Sequence, residues 1–128
     1  MTDRTNTSLD LVFKEFEDSP TQKNYENVIT KIFLMAKDKE TAITSSEISS
    51  QGNLTYELVG TTDGYYYTLY TSSERTVSIP AECILIVYLD KFIAKAANDT
   101  EVNGICVNPN SVHPVFLPRS YIKKILSL

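Results

Sequence analysis

An α+β domain is the fold class this sequence predicts, and three observations carry it. Residues 9–37 repeat apolar side chains at the helical period. The middle of the chain holds short β-rich runs around Asp63-Gly64, a hairpin turn signal. Residues 102–126 then compress a strand, an Asn-Pro turn, a second strand and a proline-started helix into one short stretch. This order predicts a mixed or antiparallel sheet with helices mainly on one face, an N-terminal helix pair and a C-terminal helix. At 128 residues the chain has the size of a single domain, 1–128, without a linker or repeat.

Leu9, Val12, Phe13 and Phe16 stand at i, i+3, i+4 and i+7 and form one apolar stripe. Thr7, with Asp10 three residues on, starts that helix, and Asp18-Ser19-Pro20 ends it. A second helix begins at once, with Ser19 as the expected cap, Pro20 at its first position and Gln22 completing a capping box. Tyr25, Val28, Ile29, Ile32, Phe33 and Ala36 carry its stripe to about Lys37. The first seven residues are expected to be flexible. Residues 38–52 are polar, serine-rich and without period, which predicts a loop or a weak edge strand.

Residues 54–59 and 65–70 flank the turn and predict a hairpin. In its second strand Tyr65, Tyr67 and Leu69 alternate with Tyr66, Thr68 and Tyr70, so tyrosine stands on both faces. Residues 71–80 connect onward, with a turn of helix expected after Ser72 or Ser73. From Cys83 to Tyr88 every residue is apolar or aromatic, the pattern of a central strand covered on both faces. Asp90 is the expected cap of a helix striped by Leu89, Phe92, Ile93, Ala96 and Ala97 and closed at Asn98-Asp99. Gly104 to Val107 is a short strand ended by Asn108-Pro109. Val115 to Leu117 is another, after which Pro118 opens a helix with Ile122, Ile125 and Leu126 expected inward.

Sixteen acidic against twelve basic residues give a net charge of −4, which argues against nucleic acid, whose phosphates require a basic stripe. The basic cluster Arg119, Lys123 and Lys124 reads as cations suited to a helix C-terminus. No run reaches membrane-spanning length and the opening residues lack a signal-peptide core, so no membrane contact and a cytoplasmic location are expected. Cys83 and Cys106 sit inside apolar runs without CxxC spacing and read as reduced core thiols. The triplets at Asn6, Asn53 and Asn98 match the glycosylation pattern but carry no meaning without export.

Two motifs carry a resemblance: Gly104-Ile105-Cys106-Val107-Asn108-Pro109, followed by Leu117-Pro118 before a terminal helix, and the corner Leu69-Tyr70-Thr71-Ser72-Ser73-Glu74. With a helix of the 90–97 kind between them, they resemble the N-terminal domain of the SseB-like family over roughly residues 20–127. The resemblance implies a bacterial, cytoplasmic protein linked to serine sensitivity or secretion-associated operons, and brings no catalytic residues with it. A second, C-terminal domain of the longer members has no counterpart in this sequence.

Reaction chemistry has little to rest on. The single histidine, His113, lies near Ser111, but no Gly-x-Ser-x-Gly elbow or Cys/His signature surrounds it. One histidine and two cysteines do not make a metal site, and four scattered glycines do not make a phosphate loop. No catalytic residue, metal or cofactor is therefore expected. Two binding candidates remain. One is a recognition corner of Asn108, Pro109, His113 and Arg119. The other is the tyrosine hairpin with Tyr65, Tyr66 and Tyr70, since tyrosine supplies large contact area at low entropic cost. The favoured expectation is a non-enzymatic module that binds another protein, of basic character given the acidic balance. A toxin-neutralising or secretion-accessory role fits such a module. A small-ligand binder or weak hydrolase centred on His113 and a purely structural homodimer are the alternatives.

Overall fold

A computed structural model describes residues 7–126. The expectation of flexible leading residues falls outside this range, except for Thr7, which opens the first helix. The elements are α1 (Thr7–Asp18), α2 (Gln22–Lys37), β1 (Thr41–Ile48), β2 (Leu54–Tyr56), β3 (Leu58–Thr61), β4 (Gly64–Leu69), β5 (Ile84–Tyr88), α3 (Leu89–Asn98), β6 (Gly104–Val107), β7 (Val115–Pro118) and α4 (Arg119–Leu126). Short 3₁₀ turns at Ser73–Thr76 and Ala81–Cys83 lie between β4 and β5. The α+β class holds, with an N-terminal helix pair and a C-terminal helix.

The strands form a three-stranded antiparallel sheet, β2-β1-β5, and a four-stranded mixed sheet, β3-β4-β6-β7. One strand path joins them. Residues 54–56 pair with β1, and after Glu57 the chain turns to pair with β4. The Glu57 amide still donates to the Ser45 carbonyl at 3.0 Å. At their other ends β1 and β4 meet directly, where the Tyr70 amide donates to the Ile43 carbonyl at 2.9 Å. The β2–β3 path thus crosses from one sheet to the other, and the Ile43–Tyr70 bridge with hydrogen bonds from Thr44 and Ser45 to Thr68 joins β1 to β4. Beside this, β4 and β6 run parallel, Leu69 opposite Val107.

The helices cover one side. Leu9 and Phe13 of α1, Ile32 and Met35 of α2, and Phe92 and Ile93 of α3 pack with Leu69, Ile105, Val107 and Leu117 in one buried cluster. Each such side chain contributes about 1.5–3 kcal/mol by leaving water. Gly104 is needed where β6 packs against the end of β7. Its φ is +149°, and a Cβ would stand 1.8 Å from the Leu117 carbonyl oxygen.

Several expectations are corrected. Residues 38–52 are not a loop, because they contain β1, the central strand of its sheet, with five consecutive buried residues. Its polarity concealed it: Thr44 donates to the Thr68 carbonyl at 2.6 Å, Ser45 to Glu57 at 2.7 Å and Ser46 to the Cys83 carbonyl at 3.1 Å, so the hydroxyls are buried with partners. Conversely β5 is an edge strand rather than a central one, with Ile86 and Tyr88 more than half exposed. Residues 54–59 are two strands. Thr21, not Ser19, caps α2 by accepting from the Asn24 amide. Tyr88 occupies the cap position of α3, while Asp90 lies inside the helix and pairs with Lys39 at 3.1 Å. Ile122 is buried as expected, whereas Leu126 is half exposed.

Candidate functional site

The two sequence motifs converge in space. β4 and β6 end side by side, and the chain leaving each meets at Thr71 and Asn108. Asn108 has φ +53°, a left-handed conformation that asparagine tolerates better than most residues. In that pose it is fully enclosed and latches the neighbouring strand end. Its Oδ1 accepts from the Thr71 amide at 3.1 Å, and its Nδ2 donates to the Thr71 hydroxyl at 2.7 Å. Its own amide donates to the Leu69 carbonyl at 2.7 Å.

A charged network continues from the latch. The Thr71 hydroxyl donates to Asp10 at 2.5 Å, and the Arg75 Nε donates to the same carboxylate oxygen at 2.9 Å. Arg75 also forks onto Glu17 at 2.8 and 3.1 Å, and Ser111 donates to Glu17 at 2.6 Å. Above Phe13 the same guanidinium lies 5.0 Å from the ring centre. Burial would raise the Asp10 pKa, but the hydrogen bonds from Thr71 and Arg75 outweigh it and hold the carboxyl below its ordinary value. For Glu17 the hydrogen bonds from Arg75 lead, and its pKa is also lowered. Thr71, Asp10, Asn108, Arg75 and Glu17 are all paired, while the neighbouring Ser72 hydroxyl is enclosed without a hydrogen-bond partner among the described residues. The adjoining cavity, lined by Tyr70, Arg75, Asn108, Asn110 and Ser111, measures about 110 Å³, well short of the roughly 300 Å³ at which ligand pockets begin. The corner joins α1 to the sheet, and this cavity is too small for a ligand of ordinary size.

The expected site residues do not gather. Asn108 and Pro109 lie at one end of β6, while Arg119 lies at the other, its amide donating to the Asn103 carbonyl at 2.5 Å. The Arg119 Nε is enclosed without a hydrogen-bond partner. His113 is exposed, its ring 6.4 Å from that of Phe16. It offers Ser111 only its backbone amide, at 3.1 Å, and the Ser111 hydroxyl is directed at Glu17, so the Ser–His arrangement of a hydrolase is not formed. Burial pushes the Cys106 thiol up to about 12, away from nucleophilic use. Of the hairpin tyrosines, only Tyr65 is exposed. Tyr66 is buried against Phe116, ring centres 4.9 Å apart, and Tyr70 is buried beside Ser45. These two cannot present a contact surface. Asp10, Glu17 and Arg75 were not among the expected residues. Two carboxylates seven apart on α1, beside the apolar stripe, were the available signal for a cation from elsewhere in the chain.

Exposed apolar side chains stand singly beside the corner, at Val77 and Val112, and in rows on the small sheet. Ile48 and Leu54, opposite one another across β1 and β2, and Ile86 and Tyr88 on β5 are each more than half exposed. Val87 packs into the core and Leu85 lines a recess with Tyr56 and Tyr67 on the helix side, so Ile84, Ile86 and Tyr88 share the opposite face. A groove of about 590 Å³ between α2 and α4 is lined by Ile29, Phe33, Leu34, Tyr121 and Leu126. Among the described residues no group of three or more His, Cys, Asp or Glu could hold a metal ion, and no helix is long and apolar enough to cross a membrane. Comparison with family models, with curated proteins and with solved structures returns no match for this chain.

Proposed function

We propose that the chain is a non-enzymatic protein-binding module, and that it docks its partner along β5 and the outer face of the small sheet. The single observation that carries this reading is the state of β5. Among the described residues it pairs with β1 on one side only, and in its outward row Ile86 and Tyr88 stand more than half in water while Ile84 is partly buried. An unpaired backbone edge with apolar side chains is the arrangement that accepts an added strand, main-chain bonds giving affinity and alternate side chains giving specificity. The polar corner supports the same reading, since its charged groups Asp10, Glu17 and Arg75 are spent on one another. With the SseB-like resemblance, the module would serve in a bacterial cytoplasm as an accessory to secretion or in toxin neutralisation. Its net charge of −4 suits a partner that is basic around its docking strand.

The test is recovery of partners from native-host lysate by tagged wild-type protein and by Ile86→Lys. A protein held by the wild type, weakened by salt and lost with the variant supports the reading. Identical recovery by both proteins overturns it.

A further inference from the structure

Edges of sheets are usually blunted, and three of the four among the described residues are. β7 has four residues, ends on Pro118 and has its Phe116 carbonyl taken by the Tyr25 hydroxyl at 3.1 Å. β2 has only three residues. β3 carries Gly60 and runs into the turn. β5 has five residues, Ile84-Leu85-Ile86-Val87-Tyr88, with no charge, glycine or proline among them. It has none of the devices that keep an edge from pairing.

We infer that β5 pairs antiparallel with β5 of a second copy of this chain, about a two-fold axis at Ile86. This rests on the docking reading above and names an occupant of that edge. The segment is self-complementary in this register. Ile86 meets Ile86, Ile84 meets Tyr88 and Leu85 meets Val87, so every apposed pair is apolar and outward residues meet outward residues. No ionised side chain is enclosed within the paired segment. The two small sheets then become one sheet continuous across the axis, with the exposed row doubled on its outer face. A five-residue strand spans about 17 Å, and the area it covers falls below the roughly 1,600 Å² of a standard stable interface, so the dimer dissociates on dilution. Because each copy carries −4, salt screens repulsion and leaves the dimer as strong or stronger, whereas a basic partner is weakened by salt. Dimerisation and partner binding use the same edge and compete.

The register is tested by cross-linking in a Cys83→Ser background. Opposed residues in antiparallel strands have Cα atoms about 4.5–5.5 Å apart, inside the disulfide range of about 4.4–6.8 Å. Ile86→Cys is therefore expected to give a covalent dimer under mild oxidation. Ile84→Cys, whose copies lie about 13 Å apart along the strands, gives none. Light scattering is expected to show a wild-type dimer that grows with concentration and persists at high salt, and an Ile86→Lys monomer. A wild-type monomer into the millimolar range, or equal cross-linking at both positions, overturns the proposal. If the monomer result comes with an Ile86→Lys defect in partner recovery, only the second copy is the wrong occupant. If partner recovery is unchanged as well, the docking reading falls with it.

Discussion

At the Asn108 corner, polar and charged side chains are drawn inward, and the charged ones all find partners. Along β5, apolar side chains are left standing in water. Asp10, Thr71 and Asn108 are each at most 5% exposed, yet Ile86 and Tyr88 are 56% and 57% exposed. The corner's hydrogen bonds tie α1, the 3₁₀ turn after β4 and the loop after β6 into one unit. Once made, they leave little capacity for anything outside the chain. The edge of β5 has the reverse character. Its backbone on one side and its outward side chains still have an unfavourable exposure to lose, which makes the edge a place where binding can be favourable. Polarity in the sequence therefore marks the structural element here, and apolarity the surface proposed for docking.

The sharpest way to break the comparison is Arg75→Ala. It leaves Asp10 and Glu17 facing each other in a poorly solvated site, and removing one partner of such a network costs about 3 kcal/mol. The midpoint of urea unfolding is expected to fall accordingly, while partner recovery under native conditions is retained. Loss of binding by a variant that remains folded would place the docking surface at the corner instead.

Acid titration should separate the two regions next. Asp10 and Glu17 have folded-state pKa values below their ordinary 3.8 and 4.5, so the folded chain holds fewer protons than the unfolded chain in that range. Their contribution is complete above about pH 5 and is lost as the pH falls through 4.5 and 3.8 toward the lowered folded values. Urea midpoints at about pH 7 and about pH 3 should differ, and Arg75→Ala should flatten that difference. A slope unchanged by the variant would mean that other carboxylates govern acid stability.

Local pattern made the helices legible. The stripes of α2 and α3 are buried as their period requires, since Val28, Ile29, Ile32, Leu89, Phe92 and Ile93 face one core. The hairpin turn and the strand ending at Asn108 were legible for the same reason, because turn chemistry acts over a few residues. What escaped was set by long-range pairing. Thr44, Ser45 and Ser46 read as loop because sequence does not reveal that Thr68, Glu57 and the Cys83 carbonyl will receive their hydroxyls. The continuous apolar run of β5 read as central because a strand covered on both faces and an uncovered edge strand can share a composition. Hydrogen bonding buried what looked exposed, and missing neighbours exposed what looked buried. The candidate site moved for the same reason. The corner was visible as a motif, but its saturation depends on Asp10 and Arg75, 65 residues apart.

The smallest expected effect is the most discriminating. Ile86→Lys replaces a side chain that is 56% exposed on an edge strand whose inward neighbour, Val87, is untouched. The lysine stem can lie along the same surface with its ammonium in water. Unfolding free energy should change by no more than about 0.5 kcal/mol, the ordinary range for surface substitutions. Exposed β-propensity alone would act in the same small range, so a larger loss would mean that Ile86 is packed within the monomer. An unchanged urea midpoint, measured dilute, would show that Ile86 is not needed for the stability of the monomer and leave it free for the proposed association. Cross-linking through Ile86→Cys then decides whether that freedom is used.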